Sequence, residues 1–364
     1  MINAIEIDGY RGFERFEMNN LGLVNLLVGR NNSGKTSVLE SLYLLTSKGD
    51  PTAMWQLLWK RGEQLPEERQ QDGPEFDICH LFNGHNLQVG SKIVIVAKNQ
   101  SPKRSIEMEI AEPTAKDREK FPPRFPLVLH IRGHQVPPNT SIPISRKGGI
   151  SSEFFDMPRR MRARVSDYSD RAQLITTDSL NAGELVKMWE KIQLTPHESI
   201  ALDAMKFLDP TIERIASQSV NEHYVGVTRG GFKVKQTGRE QPVPIGSLGD
   251  GIWRMLAMAI AISTTSKGAE GGVLLVDEID TGLHHTAMTQ MWELLYNAAK
   301  KFGVQIFATT HSSDCVHSLA RICADIPNGP FPVTLHRIES GKNKSIPYSE
   351  SEIKMAAERK IEVR

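Results

Sequence analysis

The chain has 364 residues, 39% of them hydrophobic and 24% charged, which excludes global disorder and suits two domains or one domain with an insertion. Forty-four basic residues stand against 43 acidic ones, so the formal charge of +1 excludes a protein basic throughout while leaving room for local basic patches. Three cysteines, Cys79, Cys315 and Cys323, are too few for a disulfide framework, and no apolar run nears the roughly 20 residues of a membrane span. The N-terminus has no signal-peptide core, so a cytoplasmic protein with no membrane partner is expected.

In chain order, Ile2, Ile5 and Ile7 lead to a turn at Gly9. The run Val24 to Val28, ending at Gly29, suits a strand buried on both faces. Ser37 to Thr46 is patterned as a helix, and a second helix surrounds Trp55 to Trp59 ahead of a polar loop. Ile93, Val94 and Val96, then Ile106, Met108 and Ile110, read as two strands. Seven prolines between residues 113 and 143 argue against a long helix there. Leu185, Trp189 and Ile192 share a helix face, and Thr195-Pro196-His197-Glu198 is a capping-box start for the next helix. Tyr224 to Val227 and Phe232 to Val234, split by Gly230-Gly231, read as a hairpin.

The final third alternates helix 251–265, strand 272–276, helix 286–301, strand 304–308, helix 314–323 and strand 332–338. Such alternation predicts an α/β protein with a parallel core. Residues 1–111 and 223–364 would form the main body with a mixed sheet, and residues 112–222 an inserted, mainly helical lobe.

Gly29-Arg30-Asn31-Asn32-Ser33-Gly34-Lys35-Thr36 matches the phosphate-binding pattern G-x-x-x-x-G-K-[ST], placed between a strand and a helix. Glycines let successive backbone N–H groups turn toward phosphate oxygens, and the helix N-terminus at Lys35, Thr36 and Ser37 adds its positive dipole end. Lys35 is expected to reach the β- and γ-phosphates of ATP, and the Thr36 hydroxyl to ligate Mg²⁺. Asp277 and Glu278 end the apolar run from Val273, a costly pair to desolvate without a cation. Asp277 is expected to hold Mg²⁺, and Glu278 to orient the attacking water and take its proton. His311 ends the strand from Val304 and is placed to meet a γ-phosphate in the neighbouring crevice.

Together these elements resemble the ABC-type ATPase heads of the SMC, RecF and overcoming-lysogenization-defect (OLD) group, and above all the stand-alone OLD-like ATPases of bacteria. The carriers are Ile7-Asp8-Gly9-Tyr10-Arg11-Gly12-Phe13, the P-loop, Asp277 to His284, and Thr309-Thr310-His311-Ser312. The resemblance implies ATP hydrolysis in a head-to-tail dimer, each nucleotide lying between one P-loop and the partner's signature segment. That segment matches Ser247-Leu248-Gly249-Asp250-Gly251, where Gly249 replaces the usual serine and backbone N–H groups of Gly249 to Gly251 remain to bind phosphate. Ile279 and His285 replace prolines of the group's pattern.

The 53 residues after His311 are too few for the nuclease domain that ends full OLD proteins, and no heptad arm is present. The resemblance therefore implies a separately encoded effector, a nuclease, in antiviral defence. The other reading is a RecF-like DNA-binding ATPase of repair or recombination. Arg159, Arg160, Arg162 and Arg164 are its candidate DNA contacts, against the plainer reading of a solvated face. Arg11 and Arg30 are candidate nucleotide contacts, and Gln70, Gln71 and Gln88 are candidates for the Mg²⁺-sensing glutamine. The five tryptophans are expected in the core, with Trp253 the one to watch at the signature segment. Cys315 is expected to pack a helix rather than bind zinc with His311, His317 and Cys323.

Overall fold

The computed structural model describes residues 1–66, 74–98, 104–155, 172–218, 230–265, 271–325, 332–359 and 361–363. The arginine run at 159–164, the strand expected at 224–227, and Gln70 and Gln71 lie outside them.

Two six-stranded sheets organise the chain. The chain opens with the hairpin β1 (Ala4–Tyr10) and β2 (Phe13–Met18). It then leaves for β3 (Val24–Val28), α1 (Lys35–Thr46) and α2 (Pro51–Lys60). The Asp50 side chain caps α2 by accepting from Thr52 N, with Pro51 at the first helical position. After β4 (Glu75–Asp77) come β5 (Lys92–Lys98), β6 (Arg104–Ala111), α3 (Ala115–Lys120), β7 (Leu127–Gly133) and β8 (Thr140–Ile144), and then β9 (Gly149–Ser151), which pairs with β4. The antiparallel sheet runs β2-β1-β5-β6-β7-β8. Ile93, Ile95 and Ala97 of β5 and Ile106, Met108 and Ile110 of β6 are buried, while the residues between them are half-exposed, so one face is covered.

The second sheet starts with β10 (Ala172–Ile175), followed by α4 (Ala182–Ile192) and α5 (Glu198–Leu208). Next come β11 (Ile212–Ser217), β12 (Phe232–Gln236) and β13 (Val243–Pro244), a separate three-stranded sheet. Then α6 (Asp250–Thr264), β14 (Gly272–Val276), α7 (His285–Phe302), β15 (Val304–Thr309), α8 (Ser313–Asp325), β16 (Val333–Arg337), β17 (Ile346–Tyr348) and α9 (Glu350–Glu358) complete the chain. The order is β10-β14-β15-β3-β16-β17, parallel throughout except for β17.

The layering follows from alternation within strands that are buried on both faces. On β14, Val273 and Leu275 join Leu27 and Phe307 against α1, whose far side meets Ile5, Ile7 and Ile95 of the antiparallel sheet. Leu274 and Val276 join Ile306 and Ala308 against α6, α7 and α8. Thus α1 is sandwiched between the two sheets, and three helices cover the outer face. From Ile252 to Thr264 every residue of α6 is buried, as expected of a helix apolar all round. Polar groups inside the sheet are satisfied: Asn25 bonds Gly22, Ile306 O and Thr334, and Gln305 ties Ile2 to Gly22. No described helix is long and apolar enough to cross a membrane.

One expectation is corrected. Residues 112–222 are not mainly helical among those described: β7 and β8 extend the antiparallel sheet, β10 edges the parallel one, and β11 pairs with β12. Only α4 and α5 are the expected helices. Pro143 is tolerated because β8 is an edge strand, where a missing N–H breaks no ladder. The box at Thr195 is also shifted: Glu198 accepts from Leu194 N at 2.7 Å, and α5 starts at Glu198 itself. Trp189, Trp253 and Trp292 are core residues, whereas Trp59 is 53% exposed and stacks obliquely on Trp55.

Candidate active site

The C-terminal ends of β3, β14 and β15 lie side by side, and every central candidate leaves one of them. The turn after β3 begins at Gly29, where a Cβ would fall 2.2 Å from Ile338 O, and climbs to Gly34 at φ +100°. A Cβ on Gly34 would fall 2.4 Å from the Phe13 ring, which packs beneath the loop. Both glycines are therefore required by shape as well as by dihedral angle. Arg30, Asn31 and Asn32 are exposed at the tip, while Ser33, Lys35 and Ser37 are buried. Replacing Gly34 with Ala forces the loop off Phe13, and ATP affinity is expected to fall at least tenfold, measured by titration with a fluorescent nucleotide.

Lys35 Nζ donates to the carbonyls of Gly29 and Arg30, both at 2.9 Å. Burial lowers its pKa, opposed by Asp277 and Glu278. An ammonium held at the loop's open side suits a phosphate oxygen. The buried Ser33 hydroxyl has no hydrogen-bond partner and lies in the same cradle. Thr36 Oγ1 sits 3.2 and 3.1 Å from the two carboxylate oxygens of Asp277. A hydroxyl beside a carboxylate is a hard-oxygen donor pair that fits Mg²⁺. The residues thus fit an Mg–ATP ligand, with Thr36 and Asp277 as its metal-holding groups.

Three further side chains fix the acidic pair and the turn after it, and none was singled out for this role by the sequence. Thr309 Oγ1 donates to Asp277 Oδ1 at 2.6 Å and accepts from Glu278 N at 2.8 Å, so one hydroxyl sets both acids. Glu278 is held at φ +46°, a left-handed conformation that a glutamate adopts only when its surroundings impose it. Thr310 Oγ1 donates to Asp280 Oδ1 at 2.5 Å, which ties the turn after the acids to the residue before His311.

The third is Arg254 on α6. It is 3% exposed, and its guanidinium donates to the carbonyls of Asp277 and Glu278 at 2.5 and 2.9 Å and to those of Thr176 and Thr177 at 2.5 and 3.3 Å. Burial depresses its pKa to about 10, against the pull of Asp277 and other acids. The legible signal was a lone cation in an otherwise apolar helix, which needs buried acceptors.

His311 reaches the site: with Gly29, Arg30, Arg337 and Glu362 it lines a cleft of about 410 Å³ on one side of the P-loop. On the other side Thr36, Asp277, Lys60, Arg61 and Asp178 line a cleft of about 220 Å³. No glutamine lines it among the described residues, and Gln88 is exposed on the turn before β5. Arg11 is not placed as a nucleotide contact. It is buried, pairing with Glu40 of α1 at 2.5 Å and with Glu63 at 2.7 Å.

Ser247, Gly249 and Gly251 are not brought to this P-loop. Ser247 and Gly249 are exposed at the start of α6, and a Cβ at Gly249 would meet open space. Gly251 instead packs on the turn after the acids, where a Cβ would fall 2.8 Å from Gly282 O. Trp253 is buried beside Phe232. Cys315 and Cys323 are buried in α8, and they form no ligand cluster with His311 and His317 among the described residues.

Residues 1–124 match a family model described as "AAA ATPase domain", and residues 150–314 one described as "AAA domain, putative AbiEii toxin, Type IV TA system". A Helicobacter pylori protein named "ATP/GTP phosphatase" is 22% identical over 351 residues, 88% of each chain. A solved Smc head domain with an extended coiled coil, bound to the C-terminal domain of ScpA derived from Pyrococcus furiosus, aligns over 99% of both chains. Its TM-score is 0.50 and its identity 12%. The SMC head domain from Thermotoga maritima aligns over 95% of this chain and 98% of its own, with a TM-score of 0.46 and 11% identity. Joined to the P-loop geometry, the two ATPase-domain matches make this chain a P-loop ATP hydrolase with the fold of an SMC head.

Proposed function

We propose that the protein is an OLD-like, Mg²⁺-dependent ATPase that acts as a head-to-tail dimer and regulates a separately encoded effector, a nuclease, in antiviral defence. The observation that carries the dimer is the placement of the signature segment. A Cβ at Gly249, which heads α6, would meet open space, while Gly251 rests on the turn that Asp280 anchors to Thr310. A partner's γ-phosphate meeting the N–H groups of Gly249 to Gly251 would therefore press on the segment that ends at the acids of the first site. The effector and the defence setting rest on the resemblance to stand-alone OLD-like ATPases. The arginine run on which the DNA-binding reading rests lies outside the described residues.

Within the site, Lys35 and the loop N–H groups bind and orient the phosphates. Thr36 and Asp277 would hold Mg²⁺, which would neutralise phosphate charge there. Glu278 orients water and takes its proton, and His311 steadies the γ-phosphate from the cleft it lines. Light scattering tests the dimer. Glu278→Gln with Mg–ATP is expected to run as a dimer and Lys35→Ala as a monomer. A Glu278→Gln chain that binds ATP yet stays monomeric overturns the dimer. Co-purification of the neighbouring gene's product with the ATP-bound form tests the effector.

A further inference from the structure

A second group of chemistry-bearing side chains lies outside the ATP site. Asp77 ends β4, and Cys79 and His80 follow in a single turn of 3₁₀-helix. Asp77 Oδ1 accepts from Cys79 N at 2.9 Å, which folds the turn back over the carboxylate. The other oxygen, Oδ2, then faces His80 Nε2 at 3.6 Å. One ligand atom from each of Asp77, Cys79 and His80 falls within 4.8 Å of the others. Bonds of about 2.0–2.3 Å to a common ion need these atoms to close by only about an ångström.

His85 supplies the backing. Gly84 at φ +77° and His85 at φ +54° turn the chain back, so that the His85 ring meets His80 with Nδ1 to Nδ1 at 3.2 Å. That contact holds the far nitrogen of His80 and leaves Nε2 directed at Asp77. This is the outer-shell arrangement that fixes a metal-binding imidazole.

We propose that Asp77, Cys79 and His80, backed by His85, form a zinc-type metal site that clips the segment after β4 to the back of the P-loop helix. One thiolate, one imidazole and one carboxylate suit a borderline cation and not Mg²⁺. The clip reaches α1 through Arg11. The carbonyls of His80 and Leu81 accept from Arg11 at 3.3 and 2.8 Å, and Asn83 Nδ2 donates to Arg11 O at 2.7 Å. Arg11 in turn pairs with Glu40, four residues beyond Thr36. A metal-bound Cys79 is a thiolate, so metal binding there releases a proton.

The test uses the full chain, stripped with chelator and titrated with Co²⁺ without nucleotide. One equivalent is expected to give a thiolate-to-cobalt charge-transfer band, bleached by one equivalent of Zn²⁺ and accompanied by a rise in Tm. Cys79→Ser loses the band. Thr36→Ala, at the Mg²⁺ site with its oxygen ligands, keeps it. His85→Asn, which tolerates the left-handed backbone, is expected to bind Zn²⁺ about tenfold more weakly. Should Cys79→Ser fail to fold, His80→Gln, whose side chain is 43% exposed, must show the loss of Zn²⁺ binding instead. Absence of the band in the unaltered chain, or its survival in Cys79→Ser, overturns the site.

Discussion

Glu278→Gln is expected to cut ATP turnover by about 10²–10⁴-fold while ATP affinity stays close to that of the unaltered chain. The geometry explains both halves. The Glu278 backbone is fixed by Thr309 and by the Arg254 contact to its carbonyl, and neither involves the carboxylate. Glutamine therefore keeps the fold and the left-handed turn. What it lacks is a site to accept the proton of attacking water. The phosphate and metal groups, Lys35, Thr36 and Asp277, remain untouched, so binding persists. Single-turnover hydrolysis beside an equilibrium nucleotide titration separates the two effects. Turnover at the parental rate would remove Glu278 as the base and move attention to His311.

What the sequence made legible was the part of the molecule governed by local pattern. Val24 to Val28, Gly29 to Thr36 and the helix behind them are contiguous, and the structure joins them as β3, loop and α1 with nearly the same bounds. The strand–helix alternation after residue 250 was equally readable, because each strand there is short, apolar and flanked by an amphipathic or apolar helix. The antiparallel sheet was legible only where polar and apolar residues alternate cleanly, at β5 and β6. At β7 and β8 the pattern is interrupted by Pro143 and by the half-buried His130, and only the pairing of Val128 with Pro143 at a sheet edge reveals why a proline belongs there.

The same limit applies to the site. Lys35, Asp277 and Glu278 sit in contiguous motifs, so the sequence alone could nominate them. Thr309 and Arg254 act through atoms far apart in the chain, 32 and 23 residues from Asp277, and no spacing rule links a hydroxyl on β15 or a guanidinium on α6 to a strand end. Arg11 illustrates the reverse. It was a candidate nucleotide contact, yet Glu40 and Glu63 hold it in the core.

Arg254→Met is expected to lower turnover by about 10²-fold and stability by about 1–3 kcal/mol. The side chain is a brace: one guanidinium spans the carbonyls of Thr176 and Thr177, just after β10, and those of Asp277 and Glu278, all from a helix whose first residues are the candidate signature segment. Methionine fills the volume but leaves those carbonyls without their donor, and the acids lose the support that fixes their backbone. Part of the stability loss is offset, because a buried cation that burial holds at a pKa of about 10 is no longer desolvated. Lysine is no substitute, since a single ammonium lacks the planar fork needed to reach two strand ends at once. Arg254→Lys is therefore expected to recover stability more than turnover. Thermal unfolding and kcat, measured on both variants at a temperature where each is folded, check this. If Arg254→Met hydrolyses ATP at the parental rate while folded, the brace is structural only, and the acids owe their position to Thr309.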